Sequence, residues 1–70
     1  MENTALIRKR KQEGLTQQEV AKEAKLSVAS YQRYEQGLRE PRISAAFNIA
    51  DTLDSSLEEL FSIYKGRIPR

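Results

Sequence analysis

Between Ser27 and Gly37 the stretch SVASYQRYEQG sets Val28, Ala29, Gln32, Arg33 and Gln36 on one side of a helix, opposite Tyr31 and Tyr34. A side that mixes two small apolar groups with glutamines and an arginine suits a core poorly and suits the edges of nucleic-acid bases well. Arginine can pair with guanine O6 and N7, glutamine with adenine N6 and N7, and valine or alanine can touch a thymine methyl. Gln17 and Gln18 stand at the head of the preceding segment, and Arg39 and Arg42 follow Gly37. With Ser27 and Gln36, these are side chains able to hold a sugar-phosphate backbone, which positions a protein without reading sequence. The arginine pair has a plainer reading as a solvated loop.

Positioning these groups takes two short helices and a turn. Thr16 followed by Glu19 forms a capping box, so a helix begins at Gln17. Val20, Ala21 and Ala24 make a small inner stripe that lets another helix approach closely, while Gln17, Gln18, Lys22 and Glu23 look outward. Lys25 and Leu26 break the pattern. Ser27 then caps a second helix running from Val28 to about Gln36, which Gly37 ends in the left-handed conformation. Two helices of this length joined by so tight a turn form a helix-turn-helix.

Composition narrows the alternatives. The chain has 70 residues, enough for one small domain, and such a domain buries only about 60% of the surface its unfolded chain exposes. Cysteine and histidine are both absent, which removes disulfides, the usual general base and the commonest metal ligand. No enzyme, cofactor or metal site is expected. The apolar runs are far too short to span a bilayer and Glu2 to Ala5 does not open a signal peptide, so a soluble, cytoplasmic protein is expected. A net charge of +2 attracts nucleic acid weakly, and the distribution matters more. Arg8, Lys9, Arg10 and Lys11 form a basic run, Arg33, Arg39 and Arg42 cluster, and Asp51, Asp54, Glu58 and Glu59 gather later. Each cluster also reads as an ordinary solvated face.

In chain order, residues 1–4 are expected to fray, and a first helix covers roughly Thr4 to Glu13, closed by Gly14. Leu6 faces inward, with Ile7 sharing the burial where Lys9 interrupts the stripe. Leu15 packs as a staple before the Thr16 cap. After the loop at Pro41, the spacing of Ile43, Ala46, Phe47, Ala50 and Leu53 predicts a fourth helix over about Ser44 to Leu53, with Phe47 in the core. Asp54 tolerates a left-handed turn better than most residues. Ser56 with Glu59 opens a fifth helix that carries Leu57, Leu60, Phe61 and Tyr64 on one side. Residues 1–70 thus read as a single domain with a core over about 5–64 and a loose tail from Lys65 to Arg70.

The string Leu15-Thr16-Gln17-x-Glu19-Val20-Ala21, then Leu26-Ser27, Tyr31, Tyr34-Glu35-x-Gly37 and Pro41, resembles the phage-repressor-like Cro/C1 (XRE) helix-turn-helix family. The resemblance spans about Leu6 to Phe61. It implies an all-α, compact five-helix lambda-repressor-like DNA-binding domain with the helix-turn-helix at helices 2 and 3. It also implies base contacts from Val28, Ala29, Gln32 and Arg33, and a structural ion pair of Arg10 with Glu35; a free, phosphate-contacting Arg10 is the alternative. Relatives often carry at the site of Val28 a long polar residue that also meets the glutamine at the Gln17 position, a hydrogen bond valine cannot make, and glycine at the site of Lys25.

The function implied is a sequence-specific transcriptional regulator, most simply a repressor, that binds double-stranded DNA at an inverted-repeat operator as a homodimer. The dimer surface is expected on the fifth helix and tail, through Leu57, Phe61, Ile63, Tyr64 and Ile68, unless Leu57 and Phe61 are core. The same fold serves antitoxins, restriction-modification controllers and modules that bind protein without reading bases, so an anti-repressor or toxin is a possible partner.

Overall fold

The computed structural model describes residues 1–64 and holds five α-helices around one core. They are α1 (Thr4–Gln12), α2 (Gln17–Glu23), α3 (Val28–Gln36), α4 (Ile43–Thr52) and α5 (Leu57–Leu60), followed by one 3-10 turn at Ser62–Tyr64. No strand occurs among the described residues.

Local chemistry sets most of the boundaries. Thr16 Oγ1 accepts from the Glu19 backbone N–H at 3.1 Å, and Glu19 Oε1 accepts from the Thr16 N–H at 2.9 Å, completing the expected capping box. Those bonds, the backbone one foremost, hold the Glu19 carboxyl below its ordinary range. Ser27 caps α3 through the Ser30 N–H. At α5 the Ser56 hydroxyl accepts from the Glu59 N–H and donates to the Glu59 carboxylate, so the second half of that box differs from the expected form.

The first four helices all end the same way. A residue with positive φ follows each, and the two N–H groups beyond reach back to the last turn: Gly14 and Leu15 to Lys11 and Arg10, Lys25 and Leu26 to Lys22 and Ala21, Gly37 and Leu38 to Tyr34 and Arg33, Asp54 and Ser55 to Asp51 and Ala50. These are Schellman closures. Two of them use glycine; the others force Lys25 to φ 60° and Asp54 to φ 52°. A left-handed lysine costs on the order of 1–2 kcal/mol, which the surrounding packing must offset.

α2 packs against α3 and α4, and α5 closes against α1 and α4. Leu6, Val20, Tyr31, Ile49, Leu53 and Phe61 are the largest buried side chains. Ala21 and Ala24 meet a face of α4 carrying Ala46, Ile49 and Ala50, and the small groups allow the close approach expected of α2.

The structure corrects three expectations. Phe47 is 46% exposed and Ile43 49%, whereas Ile49 is fully buried; Ala46, Ala50 and Leu53 are buried as expected, so α4 is turned by less than one residue position from its expected register. Full burial of Ile49 beside Ala46, Ala50 and Leu53 favours this rotation, and in it the Asn48 side-chain amide donates to the Ala24 carbonyl at 3.3 Å, tying α4 to the end of α2. α5 is a single turn; Phe61 is extended (φ −132°, ψ 99°) and swings into the core, while Tyr64 donates from its hydroxyl to the Pro41 carbonyl. The chain start is anchored, not frayed. Asn3 caps α1, donates its N–H to the Glu35 carbonyl (2.8 Å), and gives its side-chain amide to the Leu60 carbonyl (2.8 Å). The Met1 carbonyl lies against Gly37, where any Cβ would collide with it. The expected loose tail from Lys65 to Arg70, with Ile68, lies outside the described residues.

Candidate nucleic-acid interface

The outward face of α3 follows from what its inward face buries. Tyr31, Tyr34 and Glu35 are buried at i, i+3 and i+4, which leaves Ala29, Arg33 and Gln36 exposed and Val28 and Gln32 half-buried. Val28 also packs against the core, so one flank of its side chain is spoken for. Gln18, Ser27, Arg39 and Arg42 are exposed around this face. Ser27 Oγ is engaged as a cap and with Ser30 Oγ at 2.9 Å.

Glu35 is the one buried charged residue among those described, 3% exposed. Arg10 donates to it from Nε at 2.6 Å and Nη2 at 3.3 Å, and spends Nη1 on the Leu15 carbonyl at 3.0 Å. The ion pair therefore ties α1 to the last turn of α3, and Arg10 is not a free phosphate contact. Burial pushes the Glu35 carboxyl up, but the hydrogen bonds of Arg10, with Tyr31, Gln17 and the Arg10 charge, outweigh it and leave the group below its ordinary range. Its hydrogen bond to Glu35 foremost, Arg10 is held above its ordinary value. The Tyr31 hydroxyl is buried beside the pair without a hydrogen-bond partner of good geometry, and burial drives its pKa far above the ordinary phenol range.

The network extends where sequence reasoning did not look. Gln17 Nε2 donates to Glu35 Oε1 at 2.9 Å, and Gln32 Nε2 donates to Gln17 Oε1 at 3.1 Å. Gln17 was expected to face outward and grip the backbone; it is half-buried and its amide donates to Glu35 and accepts from Gln32, which leaves one N–H and one carbonyl lone pair for such a contact. With Val28 unable to hydrogen-bond, the glutamine one turn further along α3 takes its place. One signal was available: an acid on the buried stripe of α3 needs more than a single partner to satisfy its lone pairs.

Of the residues expected at a dimer surface, Leu57 and Phe61 are 3% and 2% exposed and belong to the core. Ile63 is exposed and Tyr64 half-buried. In the basic run, Arg8 and Lys11 are exposed, Arg10 is committed to Glu35, and Lys9 lies 3.5 Å from Glu13. No helix among the described residues is long and apolar enough to cross a membrane.

A helix-turn-helix family model matches residues 6–60, which includes every element from α1 to α5 except the first two residues of α1. The chain belongs to the Cro/C1 (XRE) type of helix-turn-helix proteins. No curated protein and no solved structure matches it. Membership makes it a DNA-binding regulator of the XRE type, a class that is regulatory and not enzymatic.

Proposed function

We propose that this XRE-type protein is a sequence-specific repressor that binds an inverted-repeat operator as a homodimer, with α3 in the major groove. The observation that carries the reading is the outer face of α3, where exposed Arg33 and Ala29 stand beside half-exposed Val28 and Gln32. Arg33 reads guanine by its two-pronged guanidinium, and Val28 and Ala29 contact thymine methyls. Gln18, Gln36, Arg39 and Arg42 hold phosphates on either side, with Gln17 and Ser27 lending backbone contacts from the rim.

One chain of this size offers few base contacts, so the regulator works as a dimer whose recognition helices sit about 34–36 Å apart in successive grooves. A two-fold dimer makes the operator an inverted repeat. With Leu57 and Phe61 in the core, the dimer surface falls to Ile63 and Tyr64, joined by the exposed Ile43 and Phe47; Tyr64 bonds the Pro41 carbonyl, which brings this turn beside the start of α4. Residues 1–70 act as one helix-turn-helix unit, and DNA as the partner places the action in the cytoplasm of a bacterium or of a phage-infected cell. An anti-repressor or toxin bound to the protein would be the release signal.

The test is selection of random duplex DNA by the purified protein at moderate salt, with Arg33→Ala in parallel. Enrichment of an inverted repeat is expected, with the variant losing roughly 1–3 kcal/mol on it and relaxing choice at one base pair. Equal weakening on every sequence would defeat the base-reading role of Arg33, and sedimentation that finds a monomer both free and on DNA would defeat the symmetric operator.

A further inference from the structure

The charge of the chain is unevenly placed. Twelve lysines and arginines stand against ten acids over the whole sequence, but Lys65, Arg67 and Arg70 fall within the last six residues, where there is no acid. Residues 1–64 therefore carry nine cations against ten acids, a side-chain net charge of −1. Of those nine, Arg10 is committed to buried Glu35, and Lys9 lies 3.5 Å from Glu13. The loop assigned to phosphates holds Arg39 and Arg42 with Glu40 between them. A slightly acidic body with so thin a basic face draws a polyanion poorly.

The fold sets where the last six residues begin. Tyr64, the last described residue, donates from its hydroxyl to the Pro41 carbonyl, and Pro41 is buried in the loop that carries exposed Arg39 and Arg42. Lys65 thus follows directly on a residue tied to the phosphate-facing loop. Six residues span at most about 20 Å when extended, and phosphates recur every ~3.4 Å of helix axis along one DNA strand. Three cations on such a length can each meet a different phosphate.

We propose that Lys65, Arg67 and Arg70 form a basic arm that binds DNA phosphates beside the recognition site, so that residues 65–70 supply most of the sequence-independent hold on DNA. The inference rests on the DNA-binding part of the function proposed above, and not on its base assignments. Arg39 and Arg42 meet the phosphates at the end of α3, and the arm continues from there along the flanking backbone. Such contacts carry no sequence information, so the arm raises affinity on every duplex and leaves the choice of bases to the outer face of α3.

The experiment measures affinity for a mixed-sequence duplex, and for an operator duplex obtained by selection, from about 50 to 200 mM salt. It compares the protein of residues 1–70 with its Lys65→Gln, Arg67→Gln, Arg70→Gln triple variant. Each phosphate neutralised steepens the fall of log K with log salt by about 0.9, so three give a difference in slope of about 2.7. The wild type is expected to lose about 40-fold more affinity than the triple variant across that range. The variant is expected to keep the wild-type base preference and melting temperature. A charge-keeping exchange, Lys65→Arg with Arg67→Lys and Arg70→Lys, is expected to hold the wild-type slope. Operator duplexes cut flush with the half-sites are expected to shrink the difference between wild type and triple variant.

Equal slopes for wild type and triple variant would overturn the proposal. So would a loss confined to the operator, which would make the arm a reader of bases. A triple variant that keeps the wild-type slope yet sediments as a monomer where the wild type is a dimer would assign the segment to the dimer surface instead. These failures differ from failure of the function: a wild type that binds neither duplex removes DNA binding altogether, whereas one that binds both and shares its slope with the triple variant removes the arm alone.

Discussion

Removing the Glu35 carboxylate is the most direct way to measure what joins the recognition helix to the rest of the fold. In Glu35→Ala, three hydrogen bonds vanish: two from Arg10, at 2.6 and 3.3 Å, and one from Gln17 at 2.9 Å. The Arg10 guanidinium is left with the Leu15 carbonyl, and its side chain is only 13% exposed. Breaking one side of a buried pair costs about 3–5 kcal/mol because the stranded charge stays desolvated. Arg10 retains one acceptor and some access to water, so the low end applies, about 3 kcal/mol. In a domain of this size each kcal/mol moves the melting temperature by about 4–8 °C, which makes the expected drop roughly 12–24 °C. The assay is thermal and urea unfolding followed by circular dichroism, on Glu35→Ala, Arg10→Met and the double variant. The double variant should lose less than the sum of the single losses, since no charge is then buried alone. A Glu35→Ala melt within about 3 °C of wild type, or strictly additive losses, would refute the pair as a structural tie.

Three further outcomes follow from the same structure. Because Glu35 is held below its ordinary value of 4.5, the folded state binds fewer protons than the unfolded state. Its stabilising contribution is complete above that value and is lost as pH falls through the lower, folded pKa; melts across this acidic window should fall more steeply for wild type than for Glu35→Gln. Lys25→Gly should raise stability by roughly 0.5–1 kcal/mol, since it relieves a left-handed lysine and gives back part of the gain as unfolded-chain entropy; a lower melting temperature would show the lysine makes compensating contacts. Ile49→Ala should cost about 2–5 kcal/mol and Phe47→Ala under about 1 kcal/mol, and denaturant titration giving the reverse order would restore the register of α4 expected from sequence.

The helix-turn-helix was legible because its signals are local. A cap acts across three residues and a Schellman closure across six, so Thr16, Ser27, Gly14 and Gly37 could be placed without knowing what lies elsewhere in the chain. Lys25 and Asp54 were marked by the family resemblance, as residues standing where relatives carry glycine, and both have a positive φ in the structure. The misreadings all hinge on distant partners. Phe47 drew the apolar stripe of α4 toward itself, but the rotation observed buries Ile49 instead and lets Asn48 reach the Ala24 carbonyl, 24 residues away. The break after Leu60 depends on Asn3, 57 residues earlier, which takes the Leu60 carbonyl that a longer α5 would have used. Asn3 did carry a local signal, as an N-cap three residues before Leu6, yet nothing local announces its second and third bonds. In the candidate interface, the Arg10–Glu35 tie came from the family resemblance, while the orientations of Gln17 and Gln32 follow only once the carboxylate and both amides are known to touch.

These distant bonds converge on α3. Its last turn is held on one flank by Arg10 and Gln17 at the Glu35 side chain, and on the other by Asn3 at the Glu35 carbonyl and Met1 against Gly37. A helix pinned on both flanks presents its outer side chains at a fixed height and angle, which limits the orientational freedom lost on docking into a groove. The outer positions then divide by their ties. Ala29 and Arg33 are exposed and take no part in the network, so they can be exchanged to change the sequence read with little effect on folding. Gln32 sits at the end of the series that begins at Arg10, and any replacement there also unties Gln17. Selection for a new operator should therefore move through Arg33 and Ala29 first and reach Gln32 only with a compensating change at Gln17.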